Sequence, residues 1–125
     1  MKAGRYSFVI EQGTTTYFEI QYTDSNNEPV DLTGFHGRMQ IRPDYADFTD
    51  ELYVCISSSI DVDGETGLYF TPTSGSIGVK ISAKKTEEFD FDEGYYDLEL
   101  YSGSYVGRLL EGQIRIRREV TRHQC

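Results

Sequence analysis

Histidine and cysteine are the scarcest reactive residue types in this 125-residue chain, with two of each. His36 falls on the polar phase of the alternating run FHGRMQIR (35–42), and His123 sits close to the end. No Cys/His pair has the spacing of a zinc site. Cys55 lies in a strand-like run and Cys125 is the last residue, so both are expected to be free thiols, as reducing compartments favour. GSIG (75–78) lacks the spacing of a nucleophile elbow, and no glycine-rich phosphate loop precedes a helix. Carboxylates are plentiful, and in so acidic a chain their pairing carries no signal for acid–base work. DVDGETG (61–67) places Asp61, Asp63 and Glu65 at alternate positions around a glycine, without the full twelve-residue calcium loop. A plain hairpin turn at Asp63-Gly64 is the expectation there. These residues predict a protein that is not an enzyme and needs no catalytic residue, cofactor or metal.

The chemistry that stands out is that of contact. Ten tyrosines and seven phenylalanines, with no tryptophan, exceed what a small core needs. Tyr17, Tyr53, Tyr69, Tyr95 and Tyr101 fall on the outward phase of their runs, and tyrosine is enriched at protein interfaces. Ordinary cross-strand pairing is the plainer explanation of the same pattern. The net charge of −9 argues against a nucleic-acid partner. Its distribution is uneven. Residues 108–125 carry five arginines against two glutamates, a net +3, whereas the first 107 carry 7 basic against 19 acidic side chains, a net −12. A solvated strand face is the plainer reading of these arginines; read as a docking surface, the candidate interface residues are Arg115, Arg117, Arg118 and Arg122, with Tyr53, Tyr69, Tyr95 and Tyr101.

The elements that must position them alternate with period two. Phe8 and Ile10 alternate with Ser7 and Glu11, with Val9 blurring the pattern, and Phe18, Ile20 and Tyr22 alternate with Tyr17, Glu19 and Gln21. Leu52, Val54 and Ile56 begin a strand; Leu68 and Phe70, then Ile77, Val79 and Ile81, then Tyr96, Leu98 and Leu100 mark others. A last strand over roughly 105–120 points Leu110, Ile114 and Ile116 inward and Arg115 and Arg117 outward. In VDLTGFHGRMQIR (30–42) the apolar phase flips between Leu32 and Phe35, so Thr33 and Gly34 are read as a structural corner that lets the chain change sheets. One segment departs from the alternation. SAKKTEEF (82–89) has Ser82 as N-cap and Ala83, Thr86 and Phe89 on one face, which predicts a short helix near 83–89 with Phe89 in the core.

The fold expected is a single all-β domain over 1–125, an immunoglobulin-like sandwich or partly open barrel of about 7–9 antiparallel strands. No apolar run approaches the roughly 18–20 residues of a membrane span. The first residues lack the apolar stretch of a secretory signal, so synthesis in a cytoplasm is expected.

Four segments in order, DLTGFHGRMQIR (31–42), ISAKKTEEF (81–89), GYYDLELYSG (94–103) and VGRLLEGQIRIRREVTR (106–122), resemble a small β-domain of tailed-bacteriophage virion proteins. The likeness extends to the N-terminal domain of baseplate upper proteins. It implies a structural role in a virion tail or baseplate, or as an adaptor, with other virion proteins and copies of the chain itself as partners. The alternatives are a head-decoration or neck subunit of similar fold and a carbohydrate-binding receptor module. The loop at 43–51 and FDFDEG (89–94) depart from the family pattern.

Overall fold

A computed structural model describes residues 4–43, 53–118 and 120. Among them the strands are β1 (Gly4–Arg5), β2 (Phe8–Glu11), β3 (Thr16–Gln21), β4 (His36–Arg42), β5 (Val54–Ser57), β6 (Gly67–Thr71), β7 (Ser76–Ile81), β8 (Glu93–Ser102) and β9 (Tyr105–Arg117). A single α-helix, α1 (Ala83–Glu87), stands between β7 and β8, and a short 3-10 turn, Pro72–Ser74, precedes β7.

Two sheets face each other. The larger runs β1–β9–β8–β4–β5, with β2 also on β9, and the smaller runs β3–β7–β6. Neither closes into a barrel. The inward phases meet in one apolar cluster: Ile10, Met39, Ile41, Ile56, Tyr96, Leu98 and Ile114 from the larger sheet, and Leu68, Ile77, Val79 and Ile81 from the smaller.

The predicted helix is present. Ser82 Oγ accepts from Lys85 N–H at 3.1 Å, which satisfies one of the donors that a helix start leaves open. Phe89 follows it into the core. At the phase flip the chain turns. Phe35 N–H donates to Leu32 O at 2.9 Å, closing a turn in which Gly34 has φ +86°. Asp31 Oδ1 accepts from Thr33 N–H at 2.9 Å and from its hydroxyl at 2.6 Å, so both polar groups of Thr33 hold the corner. A Cβ added at Gly34 would meet nothing within 4 Å. The glycine is needed for its backbone alone. Gly34→Val is therefore expected to cost about 1–3 kcal/mol of unfolding free energy, all of it strain from a β-branched residue at positive φ. An unchanged denaturant midpoint would show that the corner tolerates another backbone.

Four expectations need correction. The larger sheet is mixed rather than antiparallel, because β1 and β2 both run parallel to β9. Asp63-Gly64 is not the turn of a hairpin, since β5 pairs with β4 and β6 pairs with β7, and the loop carries the chain from one sheet to the other. The last strand ends at Arg117. In that strand Leu109 is buried more deeply than Leu110, because the β8–β9 register shifts between Leu98 and Glu99. The bulge lets two consecutive leucines turn toward the core, which strict alternation forbids. Leu52, Arg122, His123 and Cys125, and all of the 43–51 loop except Pro43, lie outside the described residues.

Candidate functional site

Antiparallel pairing places the outward residues of β4, β8 and β9 side by side in rows. His36, Tyr101 and Val106 form one row; Arg38, Glu99 and Arg108 the next; Gln40, Asp97 and Glu111 a third; Arg42, Tyr95 and Gln113 a fourth. Beyond them Arg115 lies between Glu93 of β8 and Val9 of β2, and Arg117 beside Glu11. The result is a mosaic of arginine, tyrosine and carboxylate.

Most of these charges are answered within the chain. Arg38 Nε donates to Glu99 Oε1 at 2.9 Å, and its guanidinium carbon lies 4.8 Å from the centre of the Tyr101 ring. Arg108 pairs with Asp97 at 3.2 Å and Arg117 with Glu11 at 3.1 Å. Burial pushes the Asp97 carboxyl up from its ordinary value; Arg108 opposes this, while Glu99 and Glu111 add to it. Each pair is solvent-exposed and contributes little to stability.

The predicted interface residues separate on this frame. Arg115, Arg117, Tyr95 and Tyr101 share the mosaic. Arg115 is exposed and makes no ion pair among the described residues, and it borders an open hollow of about 780 Å³ with Val9, Glu11, Asp92 and Glu93. Arg118 is an internal strap: Nη2 donates to Asp92 Oδ1 at 2.9 Å and Nη1 to Phe89 O at 3.1 Å. Tyr53 does not stand on the outward face. Its ring stacks on buried Phe91 with centroids 4.1 Å apart and packs against the core, just before β5 begins. Tyr69 belongs to the outer face of the other sheet, where it pairs across from Gly78. A Cβ at Gly78 would lie 2.9 Å from Tyr17 Oη, so the Tyr17 ring covers that glycine. Arg122 lies outside the described residues. His36, Arg38, Arg42 and Arg108 join the face without having been singled out. The alternation of 35–42 already puts the first three on the polar side, but only strand pairing shows that they adjoin Tyr95 and Tyr101.

The Asp61–Gly67 loop is built around one carboxylate. Asp63 Oδ1 accepts from the N–H groups of Glu65 and Thr66, each at 2.8 Å, and Oδ2 from the hydroxyls of Thr66 at 2.6 Å and Ser82 at 2.7 Å. Asp61 meets Lys85 Nζ at 2.9 Å. The loop is thereby tied to the start of α1. The four donors hold the Asp63 carboxyl well below the usual carboxylate range, the Thr66 hydroxyl first among them. A group whose folded pKa is depressed stabilises the fold fully above its unfolded value, near pH 4, and progressively less as pH falls toward the folded value. Asp63→Asn is expected to flatten the acid limb of stability against pH below about pH 4, read from urea midpoints. An acid limb identical to wild type would remove Asp63 from this role.

No known protein-family pattern matches the chain, and no curated protein is significantly similar to it. Among the described residues, no helix is long and apolar enough to cross a membrane.

Proposed function

We propose that the chain is a non-enzymatic structural component of a tailed-phage virion, a small tail, baseplate or adaptor subunit that assembles through protein–protein contacts with other virion proteins and with copies of itself. Its place of action is the virion, after synthesis in the host cytoplasm. The observation that carries this reading is where the polar groups go. Asp31, Asp61, Asp63, Arg38, Arg108, Arg117 and Arg118 each hold a turn, a strand pair or a loop, and the outward face of β4, β8 and β9 is rich in arginine and tyrosine. Such a surface suits recognition by a neighbouring protein. The likeness of residues 31–42, 81–89, 94–103 and 106–122 to the virion β-domain supports the same reading.

In this reading the sandwich is immunoglobulin-like. β9, β8, β4 and β5 take the places of strands G, F, C and C′, and β3, β7 and β6 those of B, E and D. The charge asymmetry then narrows to Arg115. Arg117 faces Glu11, so reversing its charge sets two carboxylates together and disturbs β2 as well as any contact. Arg115→Gln, which sets no carboxylate opposite Glu93, is the cleaner variant. It should leave the monomer folded and lower its incorporation into particles, and wild-type incorporation at equal expression would make the basic strand a solvated face. Added salt should weaken the wild-type contact too, because the screening length falls from about 10 Å at 0.1 M to about 3 Å at 1 M.

A carbohydrate-binding module is the second reading, favoured by Tyr17 and Tyr69 flanking Gly78 on the smaller sheet. Glycan-array binding that Tyr17→Ala and Tyr69→Ala both abolish would support it over assembly. A head-decoration or neck subunit differs from the first reading only in location within the particle.

A further inference from the structure

The first described residues, 4–11, lie along β9 as a peptide lies in a binding slot. Gly4 and Arg5 pair with Leu110 and Glu111, and Phe8 to Glu11 with Ile114 to Arg117, all parallel. Between the two ladders the register is unchanged, and Tyr6 and Ser7 bridge the gap. Tyr6 N–H donates to Glu111 O at 3.0 Å, and Gln113 N–H donates to Ser7 Oγ at 3.1 Å. The Tyr6 carbonyl accepts from the hydroxyl of buried Tyr96 and sits over Gly112, where an added Cβ would lie 2.1 Å from it. The body therefore offers a main-chain edge, a close approach to one carbonyl at Gly112, and a core position where Ile10 is fully buried. These are the parts of recognition by strand addition.

We propose that this arm is exchangeable: the slot on β9 accepts residues 4–11 of a second copy, and copies join by trading arms. The arm of every copy carries the same residues and makes the same contacts, so exchange alters only the connection and the cost of association. The connection is a single turn. Thr14 N–H donates to Glu11 O at 3.1 Å, with Gly13 at φ +82°. A latch from α1 and its end holds the turn closed. Gln12 Nε2 donates to Phe89 O at 2.9 Å, Gly13 N–H to Thr86 Oγ1 at 3.1 Å, and the Thr86 hydroxyl to Thr14 O at 2.8 Å. Short hinges of this kind favour swapping once opened. Fully extended, eight residues span roughly 26 Å. The inference goes beyond the virion reading, since arms can trade whether or not the copies sit in a particle.

The test uses the register. In full-length chain with Cys55→Ser and Cys125→Ser, one preparation carries Val9→Cys and another Arg115→Cys, two exposed positions that face each other across the parallel pair. The chain carrying both substitutions reports whether the pair can close within one copy. Equimolar single variants, mixed at high concentration and oxidised, are expected to give a covalent heterodimer several-fold above a control mixture of Val9→Cys with Tyr17→Cys. Gly13→Ala, which strains the turn, should raise the yield further. Closure within the double variant but no heterodimer above control, with or without Gly13→Ala, overturns the proposal. Should the first pair fail to close within one copy, Glu11→Cys with Arg117→Cys, also in register, decides by the same criterion.

Discussion

Gly112→Ala is expected to lower the unfolding free energy by about 2–6 kcal/mol, more than its single added carbon would suggest. The methyl group would stand 2.1 Å from a main-chain oxygen, the Tyr6 carbonyl, and backbone cannot swing aside as the end of a side chain can. The arm must shift. When it does, the Tyr96 hydroxyl, inside the core, loses the carbonyl it donates to. Overpacking of this kind costs about 1–3 kcal/mol, and an unmade buried hydrogen bond adds about 1–3 kcal/mol. Tyr96→Phe removes the hydroxyl alone and should cost less. The double variant should fall short of the sum, because Gly112→Ala has already broken that bond. Urea midpoints for the three variants measure this directly. A midpoint for Gly112→Ala equal to wild type would mean that the arm is not seated on Gly112.

Ile10→Ala tests the arm from its other side. Ile10 is 0% exposed and faces the shared core from the edge of the larger sheet. Removing three carbons from such a site costs about 2–5 kcal/mol, through lost transfer energy and the cavity left behind. Its neighbour Val9 is 55% exposed, and Val9→Ala should stay within about 0.5 kcal/mol of wild type. The contrast within one four-residue strand separates a structural arm from a decorative one. Equal and small effects would place residues 8–11 outside the folded unit.

Features set by neighbouring residues are legible in the amino-acid order alone. Leu32-Thr33-Gly34-Phe35 announces its corner because the phase flips at a glycine and Asp31 stands two residues ahead of Thr33. The Ser82 cap and the inward Thr86 and Phe89 follow from spacing. What stays hidden depends on which strands become neighbours. The parallel course of residues 4–11 cannot be read from their alternation, since a strand looks the same whichever way its partner runs. Nothing local distinguishes the Asp63 turn from a hairpin, because the difference lies in where β5 and β6 go next. The bulge near Leu109 puts an extra residue in one strand, and only the partner strand shows it. Tyr53 has the right phase for an outward residue, but it lies before the strand begins, where alternation no longer binds it. For the candidate face the same rule holds. The outward direction of Arg115 and Arg117 is legible, but not the pairing of Arg117 with Glu11 or the use of Arg118 as a strap.

The claim that this chain is a virion part is tested most directly by an inventory of particles. Purified phage from the chain's own source, separated into heads and tails and analysed by mass spectrometry, is predicted to contain it at a fixed stoichiometry in the tail fraction. Peptides found only in the soluble lysate, with none in either fraction, would contradict the account.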